Sequence, residues 1–173
     1  MAGFLSTLGI PKRKIFVSYH HGNDKASYEE FSNYFSTTYD VIQDNSVDRD
    51  IESTNTDYVI RNIRENYITG TSCTIVLCGE MTPWRKYVDW EIKATLDKNH
   101  GLIGINLPSN PIHQGKCTAP DRLHDNIVSG YALWIQWHEL NAGPQFLISK
   151  IEEANAKDGR LIDNSRPLRS RNG

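Results

Sequence analysis

The chain has 173 residues, 38% of them hydrophobic, with four Trp and eight Tyr, which is enough apolar material for the core of a single domain. Lys plus Arg number 19 against 21 Asp plus Glu, so there is no general electrostatic reason to expect a nucleic acid or an anionic membrane as partner. No run approaches the roughly 18 to 20 apolar residues that cross a bilayer. The three cysteines, Cys73, Cys78 and Cys117, fit small core hydrophobes of a reducing cytoplasm better than a disulfide framework.

Residues 1–13 carry their basic side chains after a mildly apolar part, the reverse of a secretory signal, and read as a leader packed on the domain. KIFVSY, residues 14–19, is a short β-branched and aromatic strand that breaks at HHGND, where Gly, Asn and Asp favour a turn and a helix start. Over residues 24–37, Tyr28, Phe31, Tyr34 and Phe35 recur at helical spacing. YDVIQD, residues 39–44, is a second strand. Residues 45–56 are polar and acidic without periodicity, a loop longer than most inside compact domains and of the kind that is often functional. Residues 57–69 restore a helical period through Ile60, Ile63 and Tyr67, and TSCTIVLCG follows as an apolar strand of the type covered on both faces. A helix over 84–98 and a strand over 101–107 come next. Residues 109–129, with Pro111, Gly115 and Pro120, read as irregular. GYALWIQWHEL is a fifth strand, with Trp134 and Trp137 on opposite faces. Gly143 and Pro144 open a last helix, and the basic tail 159–173 is expected to be mobile.

This alternation predicts an α/β three-layer sandwich over residues 14–158, with a five-stranded parallel sheet and helices on both faces. Sites in such folds lie outside the carboxyl ends of the strands. That rule selects residues 19–24, 44–56 (beginning at Asp44), 78–84 and those after 108.

One acid sits oddly in TPWRKYVDWEI. At about 100° per residue, Trp84, Val88, Ile92 and Thr95 fall on one side of the helix and Glu91 falls in their middle. An unpaired buried charge costs several kcal/mol, so this carboxylate should be paired, protonated or at a wetted pocket. Either it is anchored to a buried Arg, Tyr or backbone amide, or it is a lone catalytic carboxylate. A single carboxylate suits a bond whose cleavage is oxocarbenium-like, particularly where the leaving group is already cationic, as nicotinamide is in NAD. Trp84 and Tyr87 are its expected aromatic neighbours, whereas Asp89, on the wetter side, is expected to be replaceable.

In SYHHGND, Tyr19 and His20 either stack on a base and approach phosphate at a helix start, or form a polar turn with Tyr19 in the core. His113, Cys117 and His124 lack a paired-ligand signature, so no metal is expected. The absence of G-x-S-x-G and of any Gly-rich phosphate loop disfavours a serine hydrolase and NAD held as a redox cofactor. A phosphoacceptor receiver needs acids after the first and third strands, where this chain has HH and CGE.

With this order of elements, the chain resembles the TIR domain family in its bacterial TIR-like branch. The carriers are KIFVSYHHGND, the long loop after YDVIQD, the strand TIVLCG, and TPWRKYVDWEI, in which Tyr87 stands four residues before Glu91 as an aromatic does in TIR enzymes. The histidine pair and the VDWEI helix are most similar to the TIR-like proteins of the Thoeris antiphage system. The resemblance covers residues 14–107 well and the rest in outline. It implies a TIR/flavodoxin-like fold and a cytoplasmic enzyme that uses NAD as a substrate, with no cofactor. Glu91 would engage the nicotinamide-bearing ribose, and a cyclic ADP-ribose isomer would form and signal to a separate NAD-consuming effector after a phage-derived trigger. Tyr19, His20, His21, Asp44, Trp84 and Tyr87 would line the substrate site, and residues 45–56 would cover it or mediate assembly into a homo-oligomer. His20 and His21 replace basic residues common in the family, so a pyrophosphate contact there would be weaker or pH-dependent. The alternative implied by other family members is a non-catalytic adaptor or sensor module.

Overall fold

The computed structural model describes residues 12–43 and 55–173; the expected leader 1–13, apart from its last two residues, and Asp44 and most of the 45–56 loop lie outside the described residues. Five parallel strands form one sheet in the order β2-β1-β3-β4-β5. They are β1 Arg13–Ser18, β2 Tyr39–Ile42, β3 Thr71–Cys78, β4 Gly101–Asn106 and β5 Leu133–Gln136, joined by the helices α1 His21–Phe35, α2 Thr56–Ile63, α3 Lys86–Asp97, α4 Asp121–Val128 and α5 Pro144–Asn155. The expected three-layer α/β sandwich is therefore present. Its strand order reverses direction between β1 and β3, the topological switch point of flavodoxin-like sheets.

The period-2 alternation of the strands divides the core. Ile15 and Val17 of β1 and Cys73, Ile75 and Leu77 of β3 pack with Tyr28, Phe31 and Phe35 of α1 and with Leu147 and Ile151 of α5. On the other face Val76, Cys78 and Leu102 meet Val88, Ile92 and Leu96 of α3 and Leu123 of α4, while Phe16 meets Val59, Ile60 and Ile63 of α2 and Trp90 of α3. Cys73 and Cys78 are buried free thiols on opposite faces of one strand, and burial raises the pKa of both. Trp134 joins the α3/α4 side and Trp137 the α1/α5 side.

Four expectations are corrected, the last of them concerning the tail. First, α3 starts at Lys86, because Thr82–Trp84 form a separate 3₁₀ turn around Pro83. Second, part of the stretch expected to be irregular is α4. Its inward residues are Arg122, Leu123 and Asn126, so a charge and an amide stand where an apolar period would have announced a helix. Third, Asp89 is not replaceable surface. It is 7% exposed and accepts from Arg122 Nε at 2.8 Å and Nη2 at 3.3 Å, and from the Arg169 amide at 2.8 Å.

The tail explains that third difference. Expected to be mobile, residues 159–173 instead lie along α3 and α4. Arg122 donates to Asn164 Oδ1 at 2.9 Å and to the Pro167 carbonyl at 3.2 Å. Trp90 Nε1 donates to the Arg169 carbonyl at 2.9 Å, Arg166 pairs with Asp125 at 2.8 Å, and Asn172 Oδ1 accepts from the Lys86 amide at 2.9 Å. These are polar attachments, which an apolar-poor composition does not reveal.

Breaking one side of a buried ion pair leaves an uncompensated charge. Asp89→Ala is thus expected to lower the unfolding free energy by about 3–5 kcal/mol, as judged for pairs of this kind, read as a fall in the urea midpoint. A midpoint matching the native protein's would show that Arg122 is satisfied without Asp89.

Candidate active site at the switch point

The turn after β1 and the turn before α3 face each other across the carboxyl ends of β1 and β3. Between them lies a cavity of about 190 Å³ lined by Tyr19, His20, His21, Gly22, Arg85, Tyr87, Val88 and Glu91. A cavity of about 150 Å³ admits benzene, so this one takes a ring-sized fragment at a time. Three cavities are larger: two, about 460 and 350 Å³, lie beside Lys12 and Tyr39, at the amino ends of β1 and β2, where folds of this class do not build their sites, and one of about 240 Å³ lies between Pro83, Asp89 and the tail residues Arg166 and Arg169.

Glu91 is 3% exposed and sits on the sheet-facing side of α3. Its Oε2 accepts a short hydrogen bond from the hydroxyl of Ser18, the last residue of β1. Behind it, Thr95 Oγ1 donates to the Glu91 carbonyl at 2.9 Å and lies 2.7 Å from Thr74 Oγ1 of β3. Three hydroxyls thus stand along this part of the α3–sheet seam: Ser18 donates to the carboxylate, while Thr95 and Thr74 satisfy each other and the helix backbone behind it.

Tyr19 is nearly buried, its ring stacked on His21 (centroids 4.3 Å, interplanar 7°) and on Tyr28 (4.6 Å, 4°), while its hydroxyl donates to Gln43 Oε1. With both ring faces covered, Tyr19 presents only its edge to the cavity and cannot stack on a base. His20 precedes α1 but makes no side-chain cap. Its Nδ1 is one of two buried side-chain polar atoms that lack a partner among the described residues, Asn110 Oδ1 being the other. Burial lowers the His20 pKa from its ordinary 6.5, and the charges of Arg85 and His21 lower it further, so at neutral pH the ring is an uncharged donor and acceptor. Gly22 makes room for it, since a β-carbon there would come within 3.2 Å of His20 Cε1.

The two turns are fastened together by Asp24, which is 3% exposed. Thr82 Oγ1 donates to its Oδ2 at 3.3 Å and accepts from the Gly79 amide at 2.9 Å. A β-carbon at Gly79 would fall 2.5 Å from the Asp24 carboxylate, so only glycine permits this approach. Burial raises the Asp24 pKa while hydrogen bonds from Thr82 and Ser109 oppose the rise.

Of the residues expected to form the site, Tyr19, His20, His21, Tyr87 and Glu91 come together around one cavity. Trp84 does not join them: it is 42% exposed, in the 3₁₀ turn, with the Arg169 guanidinium 5.7 Å from its ring centroid. Asp44 lies outside the described residues. Ser18 and Arg85 were missed. Ser18 is legible as the polar residue that ends an apolar strand, and Arg85 as the basic residue just before α3. Among the described residues no group of three or more His, Cys, Asp or Glu could hold a metal ion, and His113 and His124 are exposed. No helix of the described residues is long and apolar enough to cross a membrane.

The family model described as the TIR-like domain of Thoeris protein ThsB matches residues 16–112, a span that holds Ser18, His20, Arg85 and Glu91. Among solved structures, one described as the activated Roq1 resistosome directly recognizing the pathogen effector XopQ (TIR domains) is similar over 86% of this chain and 84% of that chain. Its identity is 8% and its TM-score 0.38, too low to bear on function. No curated protein matches the chain significantly in sequence.

The titration of His20 gives a direct check on the cavity. Its Cε1 proton resonance is expected to titrate with a midpoint below 6.5 and to move upward in Arg85→Gln, which removes one cause of the depression. The folded imidazole takes up a proton less readily than the unfolded one. His20 therefore subtracts stability as pH falls below about 6.5 and has no effect well above it. A midpoint at or above 6.5 would contradict the burial of this ring.

Proposed function

The chain belongs to the TIR-like domain family of the Thoeris protein ThsB, and from that membership and the site around Glu91 we propose an antiphage-defence enzyme that cleaves NAD at the nicotinamide–ribose bond. The observation that carries this reading is a buried carboxylate, held by the Ser18 hydroxyl, in the wall of a cavity at the topological switch point.

In this reading the bond from ribose C1′ to the pyridinium nitrogen breaks and its electron pair goes to nicotinamide, which leaves neutral without a proton donor. Positive charge then grows on C1′ and the ring oxygen. Glu91 opposes that charge at short range in a water-poor site, where preorganised electrostatics count most. The Ser18 hydroxyl donates to Oε2 and so orients the carboxylate, which engages a ribose hydroxyl by a charge-assisted hydrogen bond. Tyr87 and the His21 ring flank the place where the nicotinamide and sugar would sit. Capture of C1′ by a nucleophilic atom elsewhere in the same ADP-ribose closes a ring and gives a cyclic isomer, whereas capture by water gives linear ADP-ribose. The cyclic product would act as a cytoplasmic signal to a separate NAD-consuming effector. A phage-derived trigger and self-assembly belong to the same proposal.

Purified protein, with and without lysate of phage-infected cells, is to be incubated with NAD and its nucleotides analysed by mass spectrometry. Glu91→Gln is expected to lower product by at least about 100-fold, the scale of losing a principal electrostatic group. Ser18→Ala should lower it by about 10-fold by freeing the carboxylate's orientation. Absence of product in both conditions, or equal product from Glu91→Gln, would reject the enzymatic reading.

A further inference from the structure

Arg85 is the feature of this cavity that the reaction above leaves unexplained. The other arginines that are buried or half-buried among the described residues each pair with a carboxylate: Arg64 with Asp97, Arg122 with Asp89 and Arg169 with Asp121. Arg85 is half-buried as they are, yet its guanidinium makes no hydrogen bond or ion pair among the described residues, and it lines the cavity that also holds Glu91. Ordering a long cationic side chain against a partly desolvated wall without a counter-charge is unfavourable.

Its surroundings are arranged for an anion. The neighbouring imidazole of His20 carries an unpartnered buried nitrogen. His20 and Arg85 line the same cavity, and the charge of Arg85 adds to burial in lowering the His20 pKa. The cavity is therefore polarised, with a carboxylate at Glu91 and a free guanidinium at Arg85. The complementary ligand carries positive charge at one end and negative charge a short span away.

Resting on the reading of NAD as substrate, we propose that Arg85, with His20 beside it, forms the subsite for the pyrophosphate of the dinucleotide and so selects dinucleotides over nucleosides. The guanidinium offers two parallel N–H donors to phosphate oxygens, while His20 gives a hydrogen bond without adding charge. The cation thus comes from the turn before α3 and replaces the basic residues that the turn after β1 lacks.

The test measures binding by calorimetry for the native protein, Arg85→Gln and Arg85→Lys, with three probes: NAD, nicotinamide riboside and inorganic pyrophosphate. Arg85→Gln is expected to weaken NAD and pyrophosphate by about 10- to 100-fold, the range for losing a charge-assisted hydrogen-bonded partner, and to leave nicotinamide riboside within twofold. Arg85→Lys should recover part of the loss, because it keeps the charge but not the fork. The proposal is overturned if Arg85→Gln leaves NAD and pyrophosphate unchanged, if it weakens the riboside equally, or if pyrophosphate does not bind the native protein. Native protein that converts NAD while Arg85→Gln binds it normally would sink the subsite alone. Arg85-dependent binding of pyrophosphate by a protein that never converts NAD would retain the subsite and remove the cleavage reading.

Discussion

The ion pair between Asp89 and Arg122 fixes α3, and the position of α3 fixes the site. Arg122 has no exposed side chain and meets Asp89 through two nitrogens, a geometry that leaves the helix little freedom to rotate. A buried pair of this type adds little net stability compared with an apolar replacement, but it selects one arrangement among several. Asp89 and Glu91 are two positions apart, about 200° around the helix. Holding Asp89 toward α4 and the tail therefore turns Glu91 toward β1, where Ser18 receives it. The charge on the outer side of α3 sets the aim of the charge on its inner side.

A second tie works across the crevice. Asp24 belongs to the helix after β1, while Thr82 and Gly79 belong to the loop after β3. The hydrogen bonds it accepts cross the switch point and hold apart the two turns that carry His20 and Arg85. Burial raises the Asp24 pKa, so the carboxylate is retained against a desolvation cost. A wall built this way keeps its spacing without a large apolar contact between the loops, and that leaves the cavity open to a polar ligand.

The succession of five strands, most of the helices between them and the acid on α3 were legible because each rests on local sequence pattern. The near-continuous apolar run of TSCTIVLCG predicts a strand covered on both faces, and the 3.6-residue period isolates Glu91 on the apolar side. What escaped notice was set by tertiary partners. Helical projection assigns Asp89 to water because it counts only the residues of α3 itself; it does not see a tail that returns from residues 162–173 to cover that side. Arg85 escaped as well, because its cavity-facing position follows from the break before Lys86 and not from the helix. In α4 the inward group is Arg122, so a helix with a buried charge looked like an irregular polar segment. Trp84 was misplaced for the related reason that Pro83 closes a short turn there instead of starting a continuous helix.

The stacked rings bring these constraints to bear on what can enter. Tyr28, Tyr19 and His21 form a continuous pile running from the α1 core to the cavity, so the pile ends on an imidazole. A planar group entering beside Glu91 meets the edge of Tyr19, the ring of His21 and the ring of Tyr87, surfaces that accept an aromatic cation through their faces or edges. Val88 closes the apolar side. Such a lining limits water around the carboxylate, to which the Ser18 hydroxyl donates; in the proposed reaction a positive charge developing beside Glu91 would find its nearest compensation there and not in solvent. The buried acid is tolerated in the resting protein by a hydroxyl that costs the sheet nothing, because Ser18 stands at the end of β1, where the next residue already leaves the strand.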